Sequence, residues 1–179
     1  MVRPSQPVLD AVGTLARVGL AAVWLVSGAL KLADPGQTLI AVQAYDVLPD
    51  ALENVVAIAL PLVELVLGLF LLAGLATRWV AGAALVLLLV LIAGIAQSWA
   101  RGLSIDCGCF GGGGQVAAGQ TEYPQEILRD SGFALLAVWL LARPRTLLSL
   151  DGWLARGRGD SRGNSDGPEP DYSGIAEGN

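Results

Sequence analysis

Histidine is missing altogether from the 179 residues, and the chain has only two cysteines, one methionine and 15% charged residues. Without histidine there is no histidine-ligated haem or zinc, no Ser-His-Asp triad and no Cys-His dyad. A soluble domain of this length carries about a quarter charged residues, so the shortage of charge argues against one. The net charge of −5 says less, because five of the sixteen acids (Asp160, Asp166, Glu169, Asp171 and Glu177) fall near the C-terminus. That balance makes nucleic acid an unsuitable partner.

Apolar residues are abundant, at 54% of the chain with a mean hydropathy of +0.58. They concentrate in four stretches, residues 11–32, 55–76, 79–98 and 127–142. Such lengths cross, or nearly cross, about 30 Å of hydrocarbon. The third has no charge, and Trp79 and Trp99 bracket it. At 1.5 Å per residue that spacing is about 30 Å, the separation of two interfacial aromatic belts. The fourth is the shortest and opens on Arg129 and Asp130. The first is read as a retained span and not a cleaved signal, because Arg17 interrupts it and Lys31 follows it.

The expected fold is an all-α integral membrane protein, a four-transmembrane-helix bundle with residues 11–150 as its membrane domain. Arg3, Arg78, Arg143, Arg145, Arg156, Arg158 and Arg162 fall on one side, against Lys31 and Arg101 on the other. This asymmetry predicts a multi-pass plasma-membrane protein with both termini cytoplasmic and the first and third loops outside. Residues 1–10 form the cytoplasmic N-terminus. Residues 151–179, rich in Gly, Asp, Ser and Arg, read as a disordered cytoplasmic tail.

The outer loops are the unusual parts. In the first, Asp34-Pro35-Gly36 is a helix-start signal, and Leu39, Ile40, Val42, Val47 and Leu48 alternate with polar positions before Pro49. A short amphipathic helix on the membrane surface fits this pattern. The third holds Cys107-Gly108-Cys109-Phe110 followed by Gly111 to Gly114. It lacks periodicity and reads as irregular and mobile, with the glycine run giving it reach.

A Cys-x-Cys bond closes a ring too small to stabilise a fold by chain entropy, and Gly108 widens the dihedrals it can use. Strained disulfides are the labile ones, so exchange explains such a bond better than stapling. A structural disulfide, two idle thiols and zinc stay open beside it, though two thiolates alone do not complete a tetrahedral zinc shell, and no metal site is assigned. Asp106 opposes a thiolate at Cys107 and Arg101 favours one. Ionisable groups in spans usually face the bundle interior and pair. Lys31, Arg129 and Asp130 gather near the outer face, as a quinone or proton site or as interhelical ion pairs. Arg17 either pairs with Glu64 or snorkels to the cytoplasmic surface. Small residues, including Gly19, Gly28 and Gly82, are packing signals.

The stretch Ser27-Gly28-Ala29-Leu30-Lys31-Leu32-Ala33-Asp34-Pro35 resembles the first-span signature of the DoxX-like membrane proteins. Ala44-Tyr45-Asp46-Val47-Leu48-Pro49, Pro61-Leu62-Val63-Glu64 leading to Leu67-Gly68, Cys107-Gly108-Cys109-Phe110-Gly111 and Arg129-Asp130 are similar to the methylamine utilisation protein MauE family within that group. The likeness covers about residues 14–142. It implies a membrane protein assisting maturation of exported proteins, with Cys107 and Cys109 as the redox pair of a thiol-disulfide oxidoreductase. It also implies a thioredoxin-like exported partner or secreted thiol client, and a quinone as electron acceptor. Disulfide generators of this kind carry two cysteine pairs, whereas this chain has one. The single pair then meets both partner and acceptor, or another protein supplies a step. Two other readings stand beside it: a non-catalytic maturation factor that holds a client at the membrane, and a DoxX-like quinone oxidoreductase subunit with a non-protein substrate.

Overall fold

A computed structural model describes residues 6–117 and 119–143. The expected tail over residues 151–179, the last residues of the expected membrane domain and the first five residues of the chain lie outside them. Helix α1 (Gln6–Ala33) is followed by the short α2 (Pro35–Ala44), then α3 (Asp50–Ala73), α4 (Thr77–Ala100) and α5 (Tyr123–Ala142). Between α4 and α5 the chain makes an antiparallel ribbon, β1 (Ile105–Asp106) against β2 (Gly114–Gln115), with Ile105 opposite Gln115 and Asp106 opposite Gly114.

Among the described residues, α1, α3 and α4 are long and apolar enough to cross a membrane. Helix α5 is absent from that set: its first turns carry Glu126, Arg129 and Asp130, which dilute its apolar run. The protein is therefore a mostly helical membrane protein. Each long helix starts before the apolar stretch that announces it, because polar residues ahead of the stretch join its first turn. Helix α3, for example, starts at Asp50 and stops at Ala73, where Gly74 takes a left-handed φ of 66°. Gly74 and Leu75 then donate their N–H groups to the carbonyls of Leu71 and Phe70, closing the helix end.

Helix α1 packs along α3 and α4 along α5, and α1 also touches α5. The α1–α3 contact is close because both sides yield space. A Cβ on Gly28 would stand 2.9 Å from the Pro61 carbonyl, and one on Gly68 would stand 2.7 Å from Leu25. Small residues at such crossings let backbones approach without hydrophobic drive between lipid-immersed helices. Gly28 thus packs as its residue type suggests. Gly19 does not, since nothing lies within 4 Å of the space its Cβ would take. Trp24, Leu20, Leu71, Leu88 and Leu140 form the main core, while Trp79 and Trp99 stand exposed near opposite ends of α4.

Two expectations for the loops that follow α1 and α4 change. The helix expected after Asp34 is present, with Asp34 accepting from the Gln37 N–H as its N-cap, but it ends at Ala44 and leaves Val47 and Leu48 outside. Its buried face is Thr38 and Ala41, while Ile40 is exposed, so its apolar side chains do not form one stripe. The cysteine loop is not irregular either. It closes on the β1–β2 ribbon and packs down against α2.

Candidate functional site

Glycines bring the cysteine loop into contact with α2. Gly108 and Gly113 have φ of +67° and +98°, a region in which side chains are strained. A Cβ on Gly113 would come within 2.6 Å of the Ala41 Cβ, and one on Gly108 within 3.0 Å of it. The glycine run is therefore a close-packing device and not a tether, because the missing side chains let the loop lie directly on the helix. Gln37 fixes it there, its side-chain amide donating to the Gly113 carbonyl at 2.6 Å.

Both cysteines are free thiols, and both are buried, at 8% and 9% exposure. They pack with Ile95, Ile105 and Tyr123 in a second apolar cluster at this end of the bundle. The Tyr123 hydroxyl donates to the Leu103 carbonyl and accepts from the Ile105 N–H, tying the loop to the start of α5. The Tyr45 hydroxyl donates to the Cys107 carbonyl at 3.2 Å. Burial pushes the Tyr45 phenol far up, which keeps this donor protonated.

Beneath the loop lies a polar cluster made by α1 and α3. Lys31 Nζ meets Glu64 Oε1 at 3.0 Å and Oε2 at 3.1 Å, Ser27 Oγ at 2.6 Å and the Cys109 carbonyl at 3.0 Å. Ser27 Oγ also lies 2.7 Å from that carbonyl. Glu64 is fully buried, and its cation is Lys31. The expected Arg17–Glu64 pairing is replaced by a different arrangement. Arg17 is only 2% exposed, so it does not snorkel, and it donates to the carbonyls of Leu71 and Leu72 in the last turn of α3. A helix C-terminus presents unpaired carbonyls and a partial negative charge, which suits a guanidinium.

Above the sulfurs, α5 supplies the charge. Arg129 Nη2 is 3.7 Å from Cys107 Sγ, Arg129 Nε donates to Asp130 Oδ1 at 2.9 Å, and the guanidinium carbon sits 5.0 Å from the Phe110 ring centroid. Glu126 Oε1 accepts the Cys107 N–H at 3.4 Å, while its other oxygen is buried without a partner. Arg101, expected to act on Cys107, instead pairs with Asp46 at 2.6 Å. A cleft of about 370 Å³ opens over Cys107, Cys109, Phe110, Glu126 and Arg129.

Lys31, Arg129 and Asp130, the expected quinone group, do not share one pocket. Arg129 lines the cleft, whereas Lys31 is enclosed by Ser27, Glu64 and Cys109 and has no donor left over for a ring carbonyl. These residues together do not fit a quinone. Ligand atoms of Asp106, Cys107 and Glu126 lie within 4.8 Å of one another. Three donors are one short of a closed zinc shell, and a guanidinium on the same sulfur opposes a cation. Glu126, Ser27 and Tyr45 are the site residues that sequence reasoning missed. Glu126, Arg129 and Asp130 at i, i+3 and i+4, and Ser27 with Lys31 at i, i+4, are the spacings that point to them.

An apolar helical bundle with a dithiol loop pressed onto one end defines a small membrane protein of the cysteine-bearing helical type. The family model described as methylamine utilisation protein MauE matches residues 9–143, and the chain belongs to that family. Among curated proteins and among solved structures, nothing matches.

Proposed function

We propose that the protein is a membrane thiol-disulfide exchanger for exported proteins, working in the maturation step that methylamine utilisation requires. The observation that carries this reading is the pair of cysteines at the floor of one cleft, with a cation against one sulfur. Membership of the family and the membrane-spanning helices support it. In this reading all four long helices cross the bilayer. The exposed Leu128, Leu135 and Val138 give α5 a lipid-facing side, and the arginine bias along the sequence supports cytoplasmic termini.

The partner is an exported dithiol protein, a thioredoxin-like shuttle or a client itself. When the 107–109 pair is a disulfide, a partner thiolate attacks it and a mixed disulfide forms. The partner's second thiol then displaces the pair, leaving the partner oxidised and Cys107 and Cys109 as two thiols. With a disulfide partner the same steps run backward, and the relative potentials set the direction.

Cys107→Ala and Cys109→Ala, made in the full chain in its own membrane, test the proposal. One of them should hold a partner as a mixed disulfide on non-reducing gels, and both should abolish maturation of the exported client. Full maturation in both variants would overturn it and leave a holding factor, a role that the depth of both sulfurs also suits.

A further inference from the structure

The two sulfurs are equally buried but differently surrounded, and the difference ranks them. Cys107 Sγ takes the Cys109 N–H at 3.4 Å and faces Arg129 Nη2 at 3.7 Å. Arg129 is itself held, by Asp130 at 2.9 Å and by the Phe110 ring. Carboxylate oxygens of Asp106 and Glu126 also lie within 4.8 Å of Cys107 Sγ and oppose charge on it. The guanidinium and the N–H, however, are the groups that donate to it, and no such donors reach Cys109 Sγ among the described residues. Cys109 is held by its carbonyl, which Ser27 and Lys31 grip from below.

We infer that Cys107 is the sulfur that forms the mixed disulfide, that Arg129 is a catalytic residue stabilising its thiolate, and that Cys109 is the resolving thiol. The inference rests on the exchange reading and adds its polarity. With a partner disulfide, the Cys107 thiolate attacks one partner sulfur, and the other leaves as a thiolate that takes a proton from water. Cys109 then loses its proton to water and attacks Cys107 Sγ. That forms the 107–109 bond and releases the partner's remaining sulfur as a second thiolate. Two electrons pass from the pair to the partner. In the oxidising direction the partner thiolate attacks Cys107 and Cys109 leaves, so the same sulfur carries the mixed disulfide both ways. The hydrogen bond with Cys107, together with burial, pushes the Cys109 thiol well above its usual range, as suits a group that reacts second.

The test uses purified full-length protein, reduced, with 4,4′-dithiodipyridine, an uncharged disulfide that Arg129 does not attract. At pH 7, Cys109→Ala should react at least about tenfold faster than Cys107→Ala and keep one pyridyl adduct on Cys107. In the Cys109→Ala background, Arg129→Gln should slow the reaction about tenfold, whereas Arg129→Lys, which keeps a charge there, should retain most of the rate. Wild type should release two thiopyridones and keep no adduct, because Cys109 resolves it. Resolution needs the Cys109 thiolate, so below its raised pKa the adduct lifetime should lengthen about tenfold for each pH unit lowered. Equal rates, a faster Cys109, or an Arg129→Gln rate unchanged would overturn the assignment. The comparison of the two single-cysteine proteins decides it even if Arg129→Gln does not fold. Wild type that keeps its adducts would instead overturn paired exchange, whichever sulfur is faster.

Discussion

Arg17 and Lys31 stand fourteen positions apart on one face of α1, and both are buried cations in the same membrane helix. Their surroundings separate them. Arg17 donates to backbone carbonyls at the end of α3, to that of Leu72 and, beside the Gly74 N–H, to that of Leu71. Lys31 shares three protons among Glu64, Ser27 and the carbonyl of a cysteine. The first cation closes a helix end. The second joins the packing of α1 on α3 to the position of the thiol loop. Burial alone does not distinguish a functional charge from a structural one; what lies across the hydrogen bond does.

The largest expected effect comes from splitting the Lys31–Glu64 pair. Lys31→Met leaves Glu64 enclosed without its cation and should cost about 3–5 kcal/mol of stability, read as thermal unfolding in detergent. The double variant Lys31→Met, Glu64→Leu should recover most of that loss, since no charge is then stranded. It should not recover thiol exchange, because the Cys109 carbonyl loses a donor that the apolar pair cannot replace. Recovery of both would reduce the Lys31–Glu64 pair to the same structural role as Arg17.

Arg17→Met comes next, at about 1.5–3 kcal/mol for hydrogen bonds from a charged group. The contrast lies in the second readout. The rate of reaction with 4,4′-dithiodipyridine, measured on the folded fraction, should match wild type, because Arg17 bonds the α3 end near Gly74 and not the loop. A slowed thiol would show that the two ends of α1 communicate.

Gly113→Ala tests the contact that presses the loop onto α2, with an expected cost of about 1–3 kcal/mol from left-handed backbone and overlap with Ala41. Ala41→Gly in that background should return only the Ala41 share, since φ at position 113 stays at +98° and the Gly108 Cα still stands 2.9 Å from the added Cβ.

The three helices long and apolar enough to cross a membrane are legible in the sequence because a lipid-facing helix must be apolar over its length, and that is a property of each stretch by itself. The cysteine pair is legible for the same local reason. What the chain order hides is which groups meet. Glu64 lies near the middle of the second apolar stretch, and only the crossing of α1 on α3 at Gly28 and Gly68 decides that Lys31 and not Arg17 reaches it. The glycine run has no side-chain pattern, so its close approach to Ala41 is invisible until α2 is in place. Arg101 lies much nearer to Cys107 along the chain than Arg129 does, yet Asp46 draws the nearer arginine away and Asp130 steadies the farther one beside the sulfur.

Asp34→Ala should have the smallest effect on stability and the most specific one on chemistry. Its carboxylate caps α2 by accepting the Gln37 N–H, and losing an N-cap costs about 1 kcal/mol. Residues at the other end of the same bond network hold the loop, since Gln37 also donates to the Gly113 carbonyl. A frayed first turn therefore loosens the cover over the two thiols while the membrane helices keep their packing. The expected outcome is a melting temperature within a few degrees of wild type, with Cys107 and Cys109 both labelled several-fold faster by an uncharged maleimide. Labelling unchanged at that small cost would mean that α2 is held by the bundle and not by its cap.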